Sequence, residues 1–240
     1  MSTAETILVQ LVICVAYVIS VKAVELWVKS FKKDYTPPSW LKPVEMVHNI
    51  ALSGVSLGMA IVMITHLHSE GRFNNFESMA CINTDNSGIY GLANLVYLLS
   101  KIWEWLDTYF LILSGKPVIT LHYFHHMTTF TMAAVVHNFP VGGFCFINCI
   151  VHFIMYAYYA FPVRWFRVFI TSSQLIQFVA VISMHTYGKI NSLSSSPTFC
   201  FDMTPVKNEW WYCEGVVIGY FILFVKFFIN QYIKKEKKNK

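Results

Sequence analysis

The chain has 240 residues, of which 55% are hydrophobic and only 13% charged, with a mean hydropathy of +0.49. A soluble domain carries about a quarter of its residues as charges, so this composition excludes an ordinary water-solvated globule and points to the bilayer as solvent. The net charge of +5 is spread over several connecting segments and serves as a topology signal, with no nucleic-acid-binding patch implied.

A helix needs roughly 20 apolar residues to cross the hydrocarbon. Seven such stretches follow one another at about 5–28, 46–66, 91–113, 118–138, 144–161, 166–187 and 210–233. The expected architecture is therefore all-α and polytopic, a single seven-helix domain over residues 1–240 with a short basic tail at 234–240. The first stretch lacks a basic leader and is too long for the core of a cleaved signal peptide. The fifth is short and the third carries charges. No internal repeat or low-complexity linker is visible, and the serines around Ser194–Ser196 read as an ordinary loop.

Basic residues set the orientation. Lys29, Lys32, Lys33 and Lys42 follow the first stretch, Lys116 the third, Arg164 and Arg167 the fifth, and Lys234, Lys235, Lys237, Lys238 and Lys240 the seventh. With an odd number of spans all of these lie on one side, against Arg72, Lys189 and Lys207 on the other. The excess of basic residues in cytosolic loops then places the amino terminus in the lumen and the tail in the cytosol. Lys237 and Lys238 also resemble a dilysine retrieval signal of the endoplasmic reticulum. None of the six cysteines forms a CxxC pair, which argues against a zinc site. Cys145 and Cys149 read as packing residues, whereas Cys81, Cys200 and Cys213 fall on the lumenal side, where a disulfide persists; Cys81 is expected to pair with Cys200 or Cys213.

Ionisable and polar side chains inside a span are expensive and mark function, and this chain has a dense set. The third stretch holds Lys101, Glu104, Asp107 and Thr108; the fourth His122, His125 and His126; the fifth Asn148, His152 and Tyr156; the sixth Thr171, Gln174 and Gln177. Spacings of three, four and seven put each set on one helix face. Lipid cannot solvate those faces, so they are expected to converge on a polar chamber nearer the cytosolic end. Phe178, Val181 and His185 continue the sixth stripe and suggest an apolar tunnel beyond it. Blander readings exist for parts of the set. Lys101 with Glu104 forms a structural ion pair in one, and Thr171, Gln174, Gln177, Asn148 and Tyr156 act as interhelical glue in another. His137 and His185 suit an interfacial position, and His48, His66 and His68 fall at stretch edges with no assigned role. An HxxHH cluster within a span has no comparably simple structural explanation.

At these residues the chain resembles the ELO family of very-long-chain fatty-acid elongases. Lys101-Ile-Trp-Glu104-Trp-Leu-Asp107-Thr108 resembles its KxxExxDT box, His122-Tyr-Phe-His125-His126 its HxxHH histidine box, His152-Phe-Ile-Met155-Tyr156 its HxxMY box and Thr171-Ser-Ser-Gln174-Leu-Ile-Gln177 its TxxQxxQ box. Ser100 before the first box and Asn49 match further family positions. The resemblance implies seven transmembrane helices, six of them around a substrate tunnel. It also implies a membrane acyltransferase of the endoplasmic reticulum that condenses acyl-CoA with malonyl-CoA to 3-ketoacyl-CoA, carbon dioxide and CoA. No metal or further cofactor is implied. A ketoacyl reductase, a dehydratase and an enoyl reductase complete the cycle as partners, and a homodimer is compatible with it. Val118, four residues before His122, stands where elongases of polyunsaturated acids often carry Gln, so the resemblance leans toward saturated and monounsaturated chains.

The residues make chemical sense of that reaction. With no cysteine expected in the chamber, an imidazole takes the place of a thiol, since histidine forms covalent intermediates. His125 is the favoured nucleophile. Asp107 or Glu104 would orient a chamber histidine, and His122, His126 and His152 would stabilise developing negative charge or move protons. Substrate would be held by Lys101, Thr108, Asn148, Tyr156, Thr171, Gln174 and Gln177, with Phe178 and Val181 along the tail. Two alternatives are a membrane di-iron desaturase or hydroxylase, which needs more histidine ligands than these, and a non-enzymatic seven-helix transporter or receptor, against which the lack of an inverted repeat counts.

Overall fold

The computed structural model describes residues 3–31, 34–81, 87–137, 144–163, 165–193 and 207–234. The basic positions Lys32, Lys33, Arg164 and 235–240, the serine loop and Cys200 lie outside them. All regular structure among the described residues is helical: α1 (Thr3–Ser30), α2 (Leu41–Ser69), the short α3 (Phe76–Ala80), α4 (Gly88–Trp103), α5 (Leu106–Leu113), α6 (Thr120–His137), α7 (Cys145–Ala160), α8 (Phe166–Leu193) and α9 (Lys207–Phe228), which runs into a π-helical turn at Ile229–Ile233. Helices satisfy their backbone polar groups internally, as hydrocarbon requires. Four of them, Leu8–Ser30, Leu41–Ser69, Phe166–Ser192 and Trp210–Ile233, are long and apolar enough to cross a membrane. The protein is thus a multi-pass membrane protein, all-helical among the described residues.

Helix packing runs round a closed circuit, α2 to α7, α7 to α8, α8 to α9, α9 to α6, α6 to α4 and α4 back to α2, while α1 lies outside against α5 and α6. The closest pairing, α2 with α7, follows from sequence. Ser53, Ser56 and Ala60 form a buried stripe of small side chains on α2, which lets two backbones approach, and Ser53 Oγ donates to the Phe153 carbonyl at 3.0 Å. Outer faces carry large aliphatic side chains such as Leu8, Ile19, Ile61, Leu92, Ile176 and Ile222, all exposed, as lipid contact demands.

The third apolar stretch is not one continuous helix. It breaks at Glu104–Trp105, where Trp105, Asp107 and Thr108 bond three residues back, to the carbonyls of Ile102, Glu104 and Trp105, each at 3.1 Å. The tightened turn comes at the residues with polar side chains to place. α5 then ends on Gly115, at φ 70°, with Gly115 N–H on the Ile112 carbonyl (2.9 Å) and Lys116 N–H on that of Leu111 (3.0 Å). Glycine reaches this left-handed conformation without steric penalty, and the reversal starts α6 beside α5.

Among the described cysteines, Cys81 is disulfide-bonded, as expected, and Cys213 is a thiol, which excludes one of its two expected partners. The other, Cys200, is outside the described residues.

Candidate active site

A cavity of about 500 Å³ occupies the end of the bundle where α5 and α7 finish and α6 and α8 begin. Its polar lining includes Asn49 of α2, Glu104 at the helix break, Asp107 of α5, His122, His125 and His126 of α6, His152 and Tyr156 of α7, Thr171 and Gln174 of α8, and Tyr232 of the π-helical turn. Lys116 and Arg167, both exposed, stand in the same lining. A second, mostly apolar cavity of about 70 Å³ lies deeper, bounded by Phe144, Phe178, Val181, Val217 and Tyr220, with Asn148, Gln177 and His185 among its polar groups. Of all the lining residues, His125 alone is common to both cavities.

The α6 cluster is held from behind. His125 and His126 are adjacent on one turn, and the His126 ring lies 4.3 Å from that of His122 and 5.3 Å from that of His125. The His125 carbonyl accepts from Thr129 Oγ1 (2.7 Å), and the His126 carbonyl from Trp105 Nε1 (2.8 Å). Tyr220 of α9 places its ring 5.0 Å from His125 and shares a 2.6 Å hydrogen bond with Thr128. These contacts leave the His125 imidazole between the two cavities with a fixed backbone.

Beside it lies a buried charge network. Lys101 Nζ donates to Glu104 Oε1 at 2.8 Å and to Asn148 Oδ1 at 3.1 Å, and both charged side chains are 2% exposed. Tyr97 OH also donates to Asn148 Oδ1 at 3.1 Å. His152 Nδ1 sits 3.3 Å from the same Glu104 oxygen, close enough for charge contact but without hydrogen-bond alignment. Lys101 lines neither cavity, its ammonium being committed to Glu104 and Asn148. Thr108 also lies behind the wall, fully buried. Thr171 Oγ1 meets Tyr232 OH of the π-helical turn at 3.2 Å, and Gln174 Nε2 rests on Met155 Sδ at 3.4 Å.

Three features departed from sequence reasoning. His48, given no role, is buried inside α2, with Nε2 2.8 Å from Asp107 Oδ1, while Tyr156 OH donates to Asp107 Oδ2 at 2.7 Å. Asp107 thus takes its histidine from α2, whereas a partner among the chamber histidines was expected. Its neighbour Asn49 was a signal that this face of α2 turns inward. His185 is buried rather than interfacial, its ring 4.6 Å from Trp210 and 5.3 Å from Phe144. The expected absence of cysteine holds for the larger cavity only, since Cys145 and Cys213 line the smaller one. The His137 side chain is outside the described residues. Among the described residues no cluster of three or more His, Cys, Asp or Glu side chains has metal-binding geometry.

Comparison with known proteins decides the class. The GNS1/SUR4 family model of ELO proteins matches residues 2–240. The chain belongs to this family. It is 33% identical over 224 residues to long chain fatty acid elongase 2 of Caenorhabditis elegans, covering 83% of this chain and 77% of that one. To very long chain fatty acid elongase 5 of Rattus norvegicus it is 30% identical over 216 residues, 82% of this chain and 67% of the rat protein. With putative fatty acid elongase 3 of Caenorhabditis elegans it shares 31% identity over 179 residues, 69% of this chain and only 53%, about half, of that protein.

Proposed function

We propose that this fatty-acid elongation protein is the condensing enzyme, a 3-ketoacyl-CoA synthase that extends a long-chain acyl group by two carbons through an acyl-imidazole on His125. The observation that carries this reading is the position of His125 as the one residue common to both cavities. A thioester reacting at His125 has its CoA portion in the wide polar cavity, where Lys116 and Arg167 stand ready for phosphates, and its acyl tail directed to the apolar side.

The chemistry follows from that placement. A ring nitrogen of neutral His125 attacks the thioester carbonyl, the carbon–sulfur bond breaks, and CoA leaves as the thiol with the proton lost from the ring. Malonyl-CoA enters the vacated cavity and loses carbon dioxide. The electron pair becomes an enolate, whose carbon attacks the acyl carbonyl. The carbon–nitrogen bond then breaks, the departing ring takes up a proton from water to return neutral His125, and 3-ketoacyl-CoA is left. His122, His126 and His152 are placed to stabilise the oxyanion and enolate. Both substrates are CoA esters and no metal or further cofactor takes part.

Around this centre we place seven spans, six enclosing the tunnel and α1 outside, as a single domain in the endoplasmic reticulum membrane with a lumenal amino terminus and a cytosolic carboxyl terminus. The packing circuit and the distribution of basic residues support that arrangement. The product then requires reduction, dehydration and a second reduction by the other enzymes of the cycle.

Purified protein incubated with acyl-CoA alone is expected to release one equivalent of CoA and to carry an acyl adduct on the peptide containing His125, with ping-pong kinetics when malonyl-CoA is added. His125→Ala loses both. Release of CoA only after malonyl-CoA arrives would refute the covalent route while leaving the condensation intact.

A further inference from the structure

Tyr17 sits in the middle of α1, the helix outside the packing circuit, yet it is 2% exposed. Its hydroxyl lies 2.7 Å from Thr108 Oγ1, and Thr108 Oγ1 lies 2.9 Å from His122 Nε2. The Tyr17 ring stacks on Trp105 at 4.5 Å, which fixes where the hydroxyl points. Three side chains from three helices therefore form one line, ending at an imidazole that lines the larger cavity.

The direction of that line is decided by counting protons. A hydroxyl donates one hydrogen bond, and among the described residues Thr108 Oγ1 is the hydrogen-bond partner of the Tyr17 hydroxyl. Buried donors are paired in native structures, so Tyr17 donates to Thr108. The Thr108 proton then goes to its other partner, His122 Nε2, which must be an unprotonated acceptor. With His122 donating from Nε2 instead, either the Tyr17 proton or the Thr108 proton would be stranded in a dry site.

We propose that Thr108, itself held by the Tyr17 hydroxyl, is a positioning residue that fixes His122 as the Nδ1–H tautomer and so gives the reaction cavity a neutral N–H donor. With Nε2 spent on Thr108, Nδ1 is the ring nitrogen left for substrate, and a neutral N–H beside His125 suits the carbonyl oxygen that gains charge during acyl transfer and condensation. This role rests on the condensing-enzyme reading of the site. The tautomer itself is independent of it.

The test uses the full chain in lipid nanodiscs. Thr108→Val keeps the volume and shape of the side chain but removes the hydroxyl that donates to His122 Nε2, so the ring proton is free to return to that nitrogen. The expected result is a fall in kcat of roughly tenfold to a hundredfold, in the lower range of a lost oxyanion donor, with KM for both CoA esters within about twofold. Tyr17→Phe should add nothing to it: the double variant with Thr108→Val should lose no more than Thr108→Val alone. Ser20→Ala is the structural control. It removes a neighbouring contact between the same two helices, the 2.6 Å hydrogen bond between Ser20 Oγ and Tyr109 OH, and should leave kcat within about twofold. Nitrogen-15 NMR of ring-labelled histidine, with the His122 signal assigned by His122→Gln, should show Nδ1–H in wild type and Nε2–H in Thr108→Val. The proposal is overturned by an unchanged tautomer or a wild-type kcat in Thr108→Val, or by an equal loss in Ser20→Ala. Wild-type protein that makes no ketoacyl product overturns the condensing-enzyme reading instead, and the NMR result still decides the tautomer.

Discussion

Replacing Lys101 by Met keeps most of the side chain's length and apolar volume but removes the ammonium. In the wild-type protein that ammonium is paired at 2.8 Å with Glu104, bonded at 3.1 Å to Asn148, and lies 4.4 Å from the centre of the Tyr97 ring. Its loss leaves the Glu104 carboxylate, 2% exposed, with only Ser100 Oγ at 3.4 Å and the poorly aligned His152 contact at 3.3 Å. Breaking a buried pair by removing one partner costs about 3–5 kcal/mol, because a charge is stranded away from water. Here the lower end of that range is expected, since Ser100 and His152 remain. Removing both charges, in Lys101→Met with Glu104→Gln, should recover at least about half of the loss, because the penalty belongs to the unpaired carboxylate and is not additive. The assay is equilibrium unfolding in mixed micelles, read by tryptophan fluorescence for wild type, both single variants and the double. A cost below about 1 kcal/mol for Lys101→Met, or a double variant worse than the sum of the singles, would refute the argument and make Lys101 a residue held for substrate instead of one held for the fold.

Two further outcomes follow from the deep cavity and the disulfide. Val181 and Phe178 line the cavity of about 70 Å³, which is too small for a long acyl chain without side-chain movement, so Val181→Trp should shorten the longest product while shorter acyl-CoA substrates still condense; an acyl-CoA panel with labelled malonyl-CoA reads this, and unchanged product lengths place the tail elsewhere. Mass spectrometry of unreduced protein should find Cys81 protected from alkylation and, once the detergent-solubilised protein is unfolded, Cys213 alkylated; the opposite pattern would contradict the disulfide assignment.

Much of the site was legible because membrane solvation makes polar residues conspicuous. Inside an apolar stretch, Glu104, Asp107, His122, His125, His126 and His152 can only turn inward, and spacings of three and four residues name the faces. All six line one cavity. What escaped were partners that do not stand out by composition. His48 sits near the start of its apolar stretch and was given no role, yet the pairing of α2 with α5 and α7 buries it against Asp107. Tyr17 is one aromatic residue among many in an aliphatic helix, and its role depends on how α1 meets α5.

Periodicity and the energetic penalty of charge in lipid therefore determined, from the sequence alone, that the chain is helical, that it lives in a membrane and which helix faces carry chemistry. Those constraints act within one helix and need no knowledge of its neighbours. Only the tertiary structure decided that α4 and α5 part at Glu104, that Lys101 and Thr108 stand behind the cavity wall, and that His125 is the residue where a wide polar cavity meets a narrow apolar one. These depend on which helices are adjacent and at what height. Side-chain contacts across the packing circuit select that arrangement, and no spacing along a single strip of sequence encodes it.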